Sequence, residues 1–442
     1  MILSLVAITA LIVLCLCMRR FLVIRDFDLV DLLLAVFFLT FIFRPFVLIL
    51  RLDDPLLSDS IDIVDLDSVI FNAVAVVFLW MLVLSLGVKL GHLIRGRPWM
   101  MDTNSAFTIK EMNLAAFILF VLGSVLIVPE IIRFGGFAGL AFESKLGEGV
   151  DRINRYPAIV GGIWAAASIV SFRRHRLVEN IDFSVRKTDI VIACLLFVGN
   201  GTLAFSYGAR DVFVFGVVAI SLAVVSVRVS SIKNVLRIMV LGILIVAVAS
   251  SFRLIRDSMI MQHVEVFDDQ TTIYRKISLT ANLTKFDSLM LAVRDFPSTY
   301  TFYGPLPFLE GLRTLPGGEM IFGPDDESFE NVARNVIRLY LPWRSNGNPI
   351  TAIGDWYVSF GILGIIFGGV FGGIIIGWLQ VKMSNFGLQP LVFVISIYLA
   401  ARFLPFGIAA NSVTIGFRFI IPLTLTIVGM RYLRKKYAWN AL

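Results

Sequence analysis

The chain is 442 residues long, 58% hydrophobic and 16% charged, with a formal net charge of +7 and a mean hydropathy of +0.86. Soluble domains carry about 25% charged residues, so these proportions exclude a soluble globular domain and indicate an all-α, polytopic membrane protein. Cys15, Cys17 and Cys194 lie in apolar runs; they say nothing of disulfides and lack metal-ligand spacing.

Apolar runs of roughly 20 residues, each able to cross about 30 Å of hydrocarbon as a helix, recur along the chain. They place spans near 1–18, 29–50, 68–93, 112–133, 157–172, 189–206, 211–227, 238–255, 353–380, 390–409 and 413–430, eleven in all. Residues 1–18 lack the basic start and small-residue cleavage site of a signal peptide, so they read as a retained first span. The division expected is 1–255 for spans one to eight, 256–350 for a large loop, and 351–442 for spans nine to eleven with a basic tail.

Charge sets the orientation. One set of connections is basic: Arg19-Arg20, Lys89 to Arg97, Arg173 to Arg176, Arg228 to Arg237, Lys382, and the tail from Arg431 to Lys436. The alternate set is acidic or mixed, with six Asp against Arg51 over residues 51–67. Lys and Arg stay in the cytoplasm, which puts the N-terminus outside and the C-terminus inside. Topology thereby accounts for the net positive charge, and no nucleic-acid partner is needed. Residues 256–350 form an outer connection far longer than a structural link requires. Helix-compatible pieces (Leu279–Val293, Asn331–Leu341) and turn-rich ones (Phe302–Pro307, Leu315–Gly318) make it a small, partly helical cap on the membrane. No internal or inverted repeat stands out, which weighs against a secondary transporter.

Ionisable groups inside spans are functional candidates, because a central Arg costs about 2.5–3.5 kcal/mol even on translocon-based scales. Arg44, Arg402 and Arg418 fall in the outer halves of their spans. Arg210 and Asp211 occupy a tight outer turn, and Arg253 and Arg256 follow at the outer end of span eight on one helical face. Guanidinium suits phosphate, since its planar fork donates two parallel hydrogen bonds and keeps its charge when desolvated. Each member also has a plainer reading. Arg44 and Arg402, each near a Pro, can bond carbonyls freed by a kink; Arg418 can snorkel outward; Arg210 can pair with Asp211; Arg253 and Arg256 can anchor the interface. His92 and His175 belong to the basic side, whereas His263 faces outward beside Glu265. Asp211, Glu319 and Asp355 are further acid/base candidates near the interface. Asp355 opens span nine, followed by Trp356 and Tyr357 as headgroup-level anchors, and it is either a helix cap or a polar wall of a site. Adjacent carboxylates at 53–54, 268–269 and 325–326 read as solvated, and no metal or cofactor motif is present.

Four stretches carry a resemblance: FIFRPF (41–46), SYGARD (206–211), KFDSLMLAVRDFPSTYTFYG (285–304) and NPITAIGDWYVSFGILGIIFGG (348–369). With the span layout and the large outer loop, they resemble the bacterial O-antigen and oligosaccharide repeat-unit polymerases of the Wzy type. This chain has Asp355 where that family often has Glu, and Leu315-Pro316-Gly317 where it often has Pro-Arg; Arg313 is the nearby arginine. The resemblance implies a fold similar to the membrane-embedded, polyprenyl-dependent (GT-C-like) glycosyltransferases. It also implies a reaction at the outer face of the bacterial inner membrane, in which undecaprenyl-diphosphate-linked oligosaccharide serves as donor and acceptor. No cofactor is expected, and a regulator of chain length is implied as a partner.

On this reading Arg210 and Arg256 lead in holding the diphosphate, with Arg253, Arg402 and Arg418 as further ligands, so that guanidinium groups stabilise the leaving group without metal. Asp211, His263 and Asp355 compete as acceptor base; Glu319, Trp356 and Tyr357 face the glycan. The nearest alternative is a ligase moving finished glycan onto another lipid. A transporter or flippase for lipid-linked sugars predicts polar residues through the full membrane thickness, and a structural scaffold has no use for so many costly cations.

Overall fold

The computed structural model describes residues 2–22, 29–50, 66–94, 107–137, 139–140, 152–178, 187–207, 216–217, 219–220, 285–306, 351–384, 390–391, 393–395, 397–398 and 410–437. In chain order these form α1 (Ile2–Leu22), α2 (Leu29–Phe38), a π turn (Leu39–Phe43), α3 (Arg44–Ile49), α4 (Leu66–Leu93), α5 (Ile109–Arg133), a 3-10 turn (Arg152–Arg155), α6 (Tyr156–Val178), α7 (Lys187–Ser206), α8 (Lys285–Asp295), α9 (Ala352–Ser384) and α10 (Ala410–Tyr437). Every element among the described residues is helical. Five helical stretches are long and apolar enough to cross a membrane: Ile2–Leu22, Leu66–Leu93, Ile109–Arg133, Thr188–Ser206 and Ala352–Val381. Val6, Leu16, Phe117, Val125 and Leu195 on these helices are exposed, an arrangement costly in water and natural in lipid. The protein is a helical membrane protein. The spans expected at 211–227, 238–255 and 390–409 lie wholly or largely outside the described residues, as does the loop piece Asn331–Leu341.

The chain folds as two compact units that interleave in sequence. One comprises Met1–Gly96, Asp268–Val381 and Ala400–Ile415; the other comprises Arg97–Phe267, Lys382–Leu399 and Gly416–Leu442.

In the first unit α1 and α4 run side by side in the same direction. Ser4 Oγ donates to the Asp67 carbonyl at 3.0 Å at one end, and Lys89 Nζ lies 5.7 Å over the Phe21 ring at the other. Pro45 lacks an N–H and its ring crowds the carbonyl four residues back. The π turn at Leu39–Phe43 widens the helix just ahead of it.

Expected as one span, α9 is broken at Gly361, whose φ of 60° and ψ of −139° no helix contains. A straight helix would hold Trp356 and Gly368 about 18 Å apart along its axis. Instead a Cβ on Gly368 would strike the Trp356 ring, and one on Gly364 would strike the Trp356 carbonyl. The limb 352–360 (α9a) therefore folds back onto the limb 362–384 (α9b), and glycines provide the floor it lies on. The left-handed φ at Gly361 is open to glycine at little cost and strained for other residues.

The other face of α9b packs on α4, backbone against backbone. Gly369, Gly373 and Gly377 recur every fourth residue, and so do Gly87 and Gly91; this small-residue spacing lets two helices approach closely in a membrane. A Cβ on Gly373 would meet the Leu84 carbonyl and come 2.8 Å from the Gly87 Cα. At the far end Gln380 ties three helices together. Its Nε2 donates to the Leu22 carbonyl at 3.0 Å, one of the carbonyls left without a partner at the end of α1, and its Oε1 lies 2.7 Å from His92 Nε2.

The second unit is a bundle of α5, α6, α7 and α10. Asn113 Nδ2 donates 2.8 Å to the Asp189 carbonyl at the starts of α5 and α7. Glu130, near the end of α5, meets Asn154 just before α6 and Tyr207 just after α7. These ends group as alternating spans require. Thr108 and Glu111 form a capping box at the start of α5. Glu111 also accepts from Arg434 Nε at 2.6 Å and Nη2 at 2.5 Å, and the Arg434 guanidinium lies 5.1 Å over the Phe107 ring. Read from sequence as a topology charge, Arg434 is thus a structural one as well. Asn200 sits wholly buried in α7, donating 3.3 Å to the Ala116 carbonyl of α5; Gly161 of α6 leaves the space its amide occupies.

Gly373→Leu is expected to lower stability by about 3 kcal/mol, read as the unfolding midpoint of the detergent-purified protein. Gly429→Ala in α10, where a Cβ meets nothing within 4 Å, is expected to be neutral or to stabilise by up to about 1 kcal/mol.

Candidate functional site

Arg44 is 1% exposed, deep in a run of Phe, Ile and Leu. A cation in such surroundings needs a fixed counter-charge, and α8 supplies it. Arg44 Nε donates to Asp287 Oδ1 at 3.0 Å and Nη2 to Oδ2 at 2.7 Å. Asp287 is also 1% exposed. Around this two-pronged pair, Phe286, Leu289, Met290 and Ala292 of α8 are completely buried, and Phe286 meets Phe41 edge-on at 6.5 Å. The plainer sequence reading, in which Arg44 serves carbonyls freed at Pro45, gives way to an ion pair spanning 243 residues of sequence. Within the stretch expected to form the outer loop, α8 is built into the wall of the first unit.

The segment after α8 then seals the broken helix. The kink at Gly361 leaves the last carbonyls of α9a without helical donors. Tyr303 N donates to the Val358 carbonyl at 3.0 Å and Gly304 N to the Ser359 carbonyl at 2.9 Å. Phe302 covers Gly361, where a Cβ would approach its ring to 2.8 Å, and stands edge-on to Tyr357 at 6.1 Å. Tyr357 Oη donates 3.1 Å to the Phe296 carbonyl. Phe296 in turn contacts Tyr300 at 5.6 Å and Tyr303 at 5.5 Å. The result is an aromatic cluster with Phe302 at its solvent-accessible edge. Burial, with Tyr300 close by, pushes the Tyr303 phenol above its ordinary pKa, so it stays a hydrogen-bond donor.

Asp355 is buried in the first turns of α9a, 6% exposed. The capping role falls to Thr351, whose Oγ1 accepts from Gly354 N at 3.0 Å while its carbonyl accepts from Asp355 N at 2.9 Å. The start of α9a opens on a cavity of about 40 Å³ shared with Thr40, Met81 and Leu84. Those α4 residues lie about 25 Å along that helix from its beginning. Trp356 and Tyr357 are therefore not a headgroup belt at the mouth of a span. Trp356 lies against Gly368 and Tyr357 against Phe296, because the hairpin carries both into the fold.

Of the residues singled out from sequence, the structure brings Asp355, Trp356 and Tyr357 together on α9a. Arg210, Asp211, Arg253, Arg256, His263, Glu319 and Arg402 lie outside the described residues, and Arg418 is on α10 with its side chain outside them. Sequence reasoning missed Asp287 and the cluster at Phe296, Tyr300, Phe302 and Tyr303. The available signal was a lone Arg in an apolar run, which calls for an equally buried carboxylate such as the Asp in KFDSLM.

A second polar group lies at one end of the other unit. Asn154 Nδ2 donates to Glu130 Oε1 at 2.6 Å, and Tyr207, the second residue of SYGARD, donates its hydroxyl to Glu130 Oε2. Beside Asn154, Arg155 stacks 5.5 Å over the Tyr156 ring.

Arg44→Met or Asp287→Leu is each expected to cost about 3–5 kcal/mol, while the two together recover most of that loss. Unfolding of the four proteins in detergent gives the coupling energy, and additive single effects would show that the pair is not coupled. Comparison of the chain with protein-family models, curated proteins and solved structures finds no match.

Proposed function

We propose that the protein is a metal-independent membrane glycosyltransferase that polymerises undecaprenyl-diphosphate-linked oligosaccharide repeat units at the periplasmic face of the bacterial inner membrane. The observation that carries this reading is convergence. FIFRPF, KFDSLMLAVRDFPSTYTFYG and NPITAIGDWYVSFGILGIIFGG, three of the four stretches with the resemblance, join through Arg44–Asp287, Tyr357–Phe296 and Tyr303–Val358. Residues far apart in sequence are joined within one compact unit, and a site needs its parts held together in this way.

In the reaction the oxygen of an acceptor sugar hydroxyl attacks the anomeric carbon of the growing glycan. The bond from that carbon to the diphosphate oxygen breaks, and the diphosphate leaves with the electron pair. Arg210 and Arg256, helped by Arg253, Arg402 and Arg418, hold the charge that develops on it. The hydroxyl proton passes to Asp211, His263 or Asp355. The aromatic edge at Phe302, with Glu319, Trp356 and Tyr357, flanks the glycan. Eleven spans, with the N-terminus periplasmic and the C-terminus cytoplasmic, complete this proposal.

Glycan profiling of a deletion strain tests it. Single repeats on the lipid core are expected, with polymer restored by the wild-type gene and not by Arg210→Ala or Arg256→Ala, both still present in the membrane. Lys at those positions is expected to rescue poorly, because the two-pronged geometry is lost. Uncapped core with stored lipid-linked polymer would make the protein a ligase instead, and wild-type polymer in the deletion strain would end both readings.

A further inference from the structure

The C-terminal half of α10 has two faces. On the inner one Leu423 and Met430 are buried, Thr426 accepts from Trp164 Nε1 of α6 at 3.2 Å, and Arg434 holds Glu111 of α5. On the outer one Ile420, Ile421, Leu425 and Val428 are exposed, and so are Arg431, Tyr432, Lys435 and Lys436. Successive helix residues turn by about 100°, which gathers all of these exposed positions into an arc of about 160°.

Along the outer face the chemistry changes once. It is aliphatic as far as Val428, and one turn later, at Arg431, it becomes cationic. An exposed aliphatic strip is costly in water and natural against acyl chains, so the change marks where hydrocarbon gives way to headgroups. Tyr432, 63% exposed, sits at that level, where amphipathic rings collect. Lys and Arg there can lay their stems along the apolar strip and keep their charge among the headgroups.

Charge selects the kind of headgroup. Glu111 is engaged by Arg434 on the inner face, and Lys110 beside it is exposed. Asp189, in the first turn of α7, is the other acid at this end among the described residues. Against these two stand Lys110, Arg431, Arg434, Lys435 and Lys436, so the surplus is positive. Arg431 and Lys435 are one turn apart, as are Tyr432 and Lys436, which sets their donors in two adjacent rows on one face. Donors in that arrangement can share one phosphate.

We propose that the C-terminal end of α10 is a binding site for an anionic phospholipid, whose headgroup phosphate is held by Arg431, Lys435 and Lys436. This goes beyond the transferase reading and does not depend on it, since none of the residues assigned there to diphosphate, base or glycan takes part.

Native mass spectrometry of the full-length protein tests this, using detergent micelles that hold equimolar phosphatidylglycerol and phosphatidylcholine with the same acyl chains. Phosphatidylcholine carries its own cation, so the ratio of the two lipids retained reads the charge preference, and a general loss of stability cancels from it. Wild type is expected to favour phosphatidylglycerol by more than about twentyfold, and Lys435→Gln and Lys436→Gln each to lower the ratio by about fivefold. Arg133→Gln removes an exposed arginine at the last turn of α5, the opposite end of that helix from Lys110, and is expected to leave the ratio unchanged. Three outcomes would overturn the proposal: wild type retains both lipids equally; the double variant Lys435→Gln with Lys436→Gln keeps the wild-type ratio; or Arg133→Gln lowers the ratio as far as the double variant does.

Discussion

The Arg44–Asp287 ion pair is the constraint on which the first unit depends. Both partners are sealed from solvent, so neither charge can exist without the other. That mutual requirement pins α8 against the membrane helices. The pinned α8 delivers the segment 296–304 to the broken end of α9a, where two of its backbone N–H groups replace the donors a continuous helix would have supplied. Pair, loop and hairpin form one chain of dependence, each step satisfying polar groups exposed by the step before.

The glycines of α9 divide the work by position. Gly361 permits the reversal through its backbone angles, and Gly364 and Gly368 give the returning limb room to lie down. Gly369, Gly373 and Gly377 press the long limb onto α4. In lipid, helices gain little from burying apolar side chains against one another, so such close backbone contact carries much of the association. The hairpin in turn places a carboxylate, Asp355, on a short helix that starts beside Met81 and Leu84. The acid/base candidate visible in the structure is therefore held by scaffold, not by a mobile loop.

Much of the fold was legible because hydrophobic run length is a local signal. The apolar runs at 1–18, 68–93, 112–133 and 189–206 coincide within a few residues with α1, α4, α5 and α7, each long and apolar enough to cross a membrane, and the run at 157–172 falls within the helix α6. What could not be read was set by partners distant in sequence. Asp287 lies 243 residues from Arg44, and Glu111 lies 323 from Arg434, so neither pairing leaves a local trace. The reversal at Gly361 was hidden for another reason: eight glycines fall between Ala352 and Ser384, and composition does not say which one adopts a positive φ. Trp356 and Tyr357 misled because amphipathic rings suit both a headgroup layer and a polar interior, and only the reversal decides between them. Of the expected site, Asp355 stood out as an acid at the head of a span, but its burial left no sequence signal, and Asp287 looked like an ordinary loop residue.

The glycine seam between α4 and α9b also bears on how the protein is made. Gly87 is synthesised about 290 residues before Gly373, an interval of roughly 15–60 s at ordinary translation rates. Throughout that time the inserted α4 presents a bare strip of backbone to lipid, with no native partner yet in existence. A newborn chain in this state is open to mispairing with any other small-residue helix nearby. Truncation after the first unit's early helices would leave that strip permanently uncovered, which ties correct assembly of the N-terminal spans to completion of the final third of the chain.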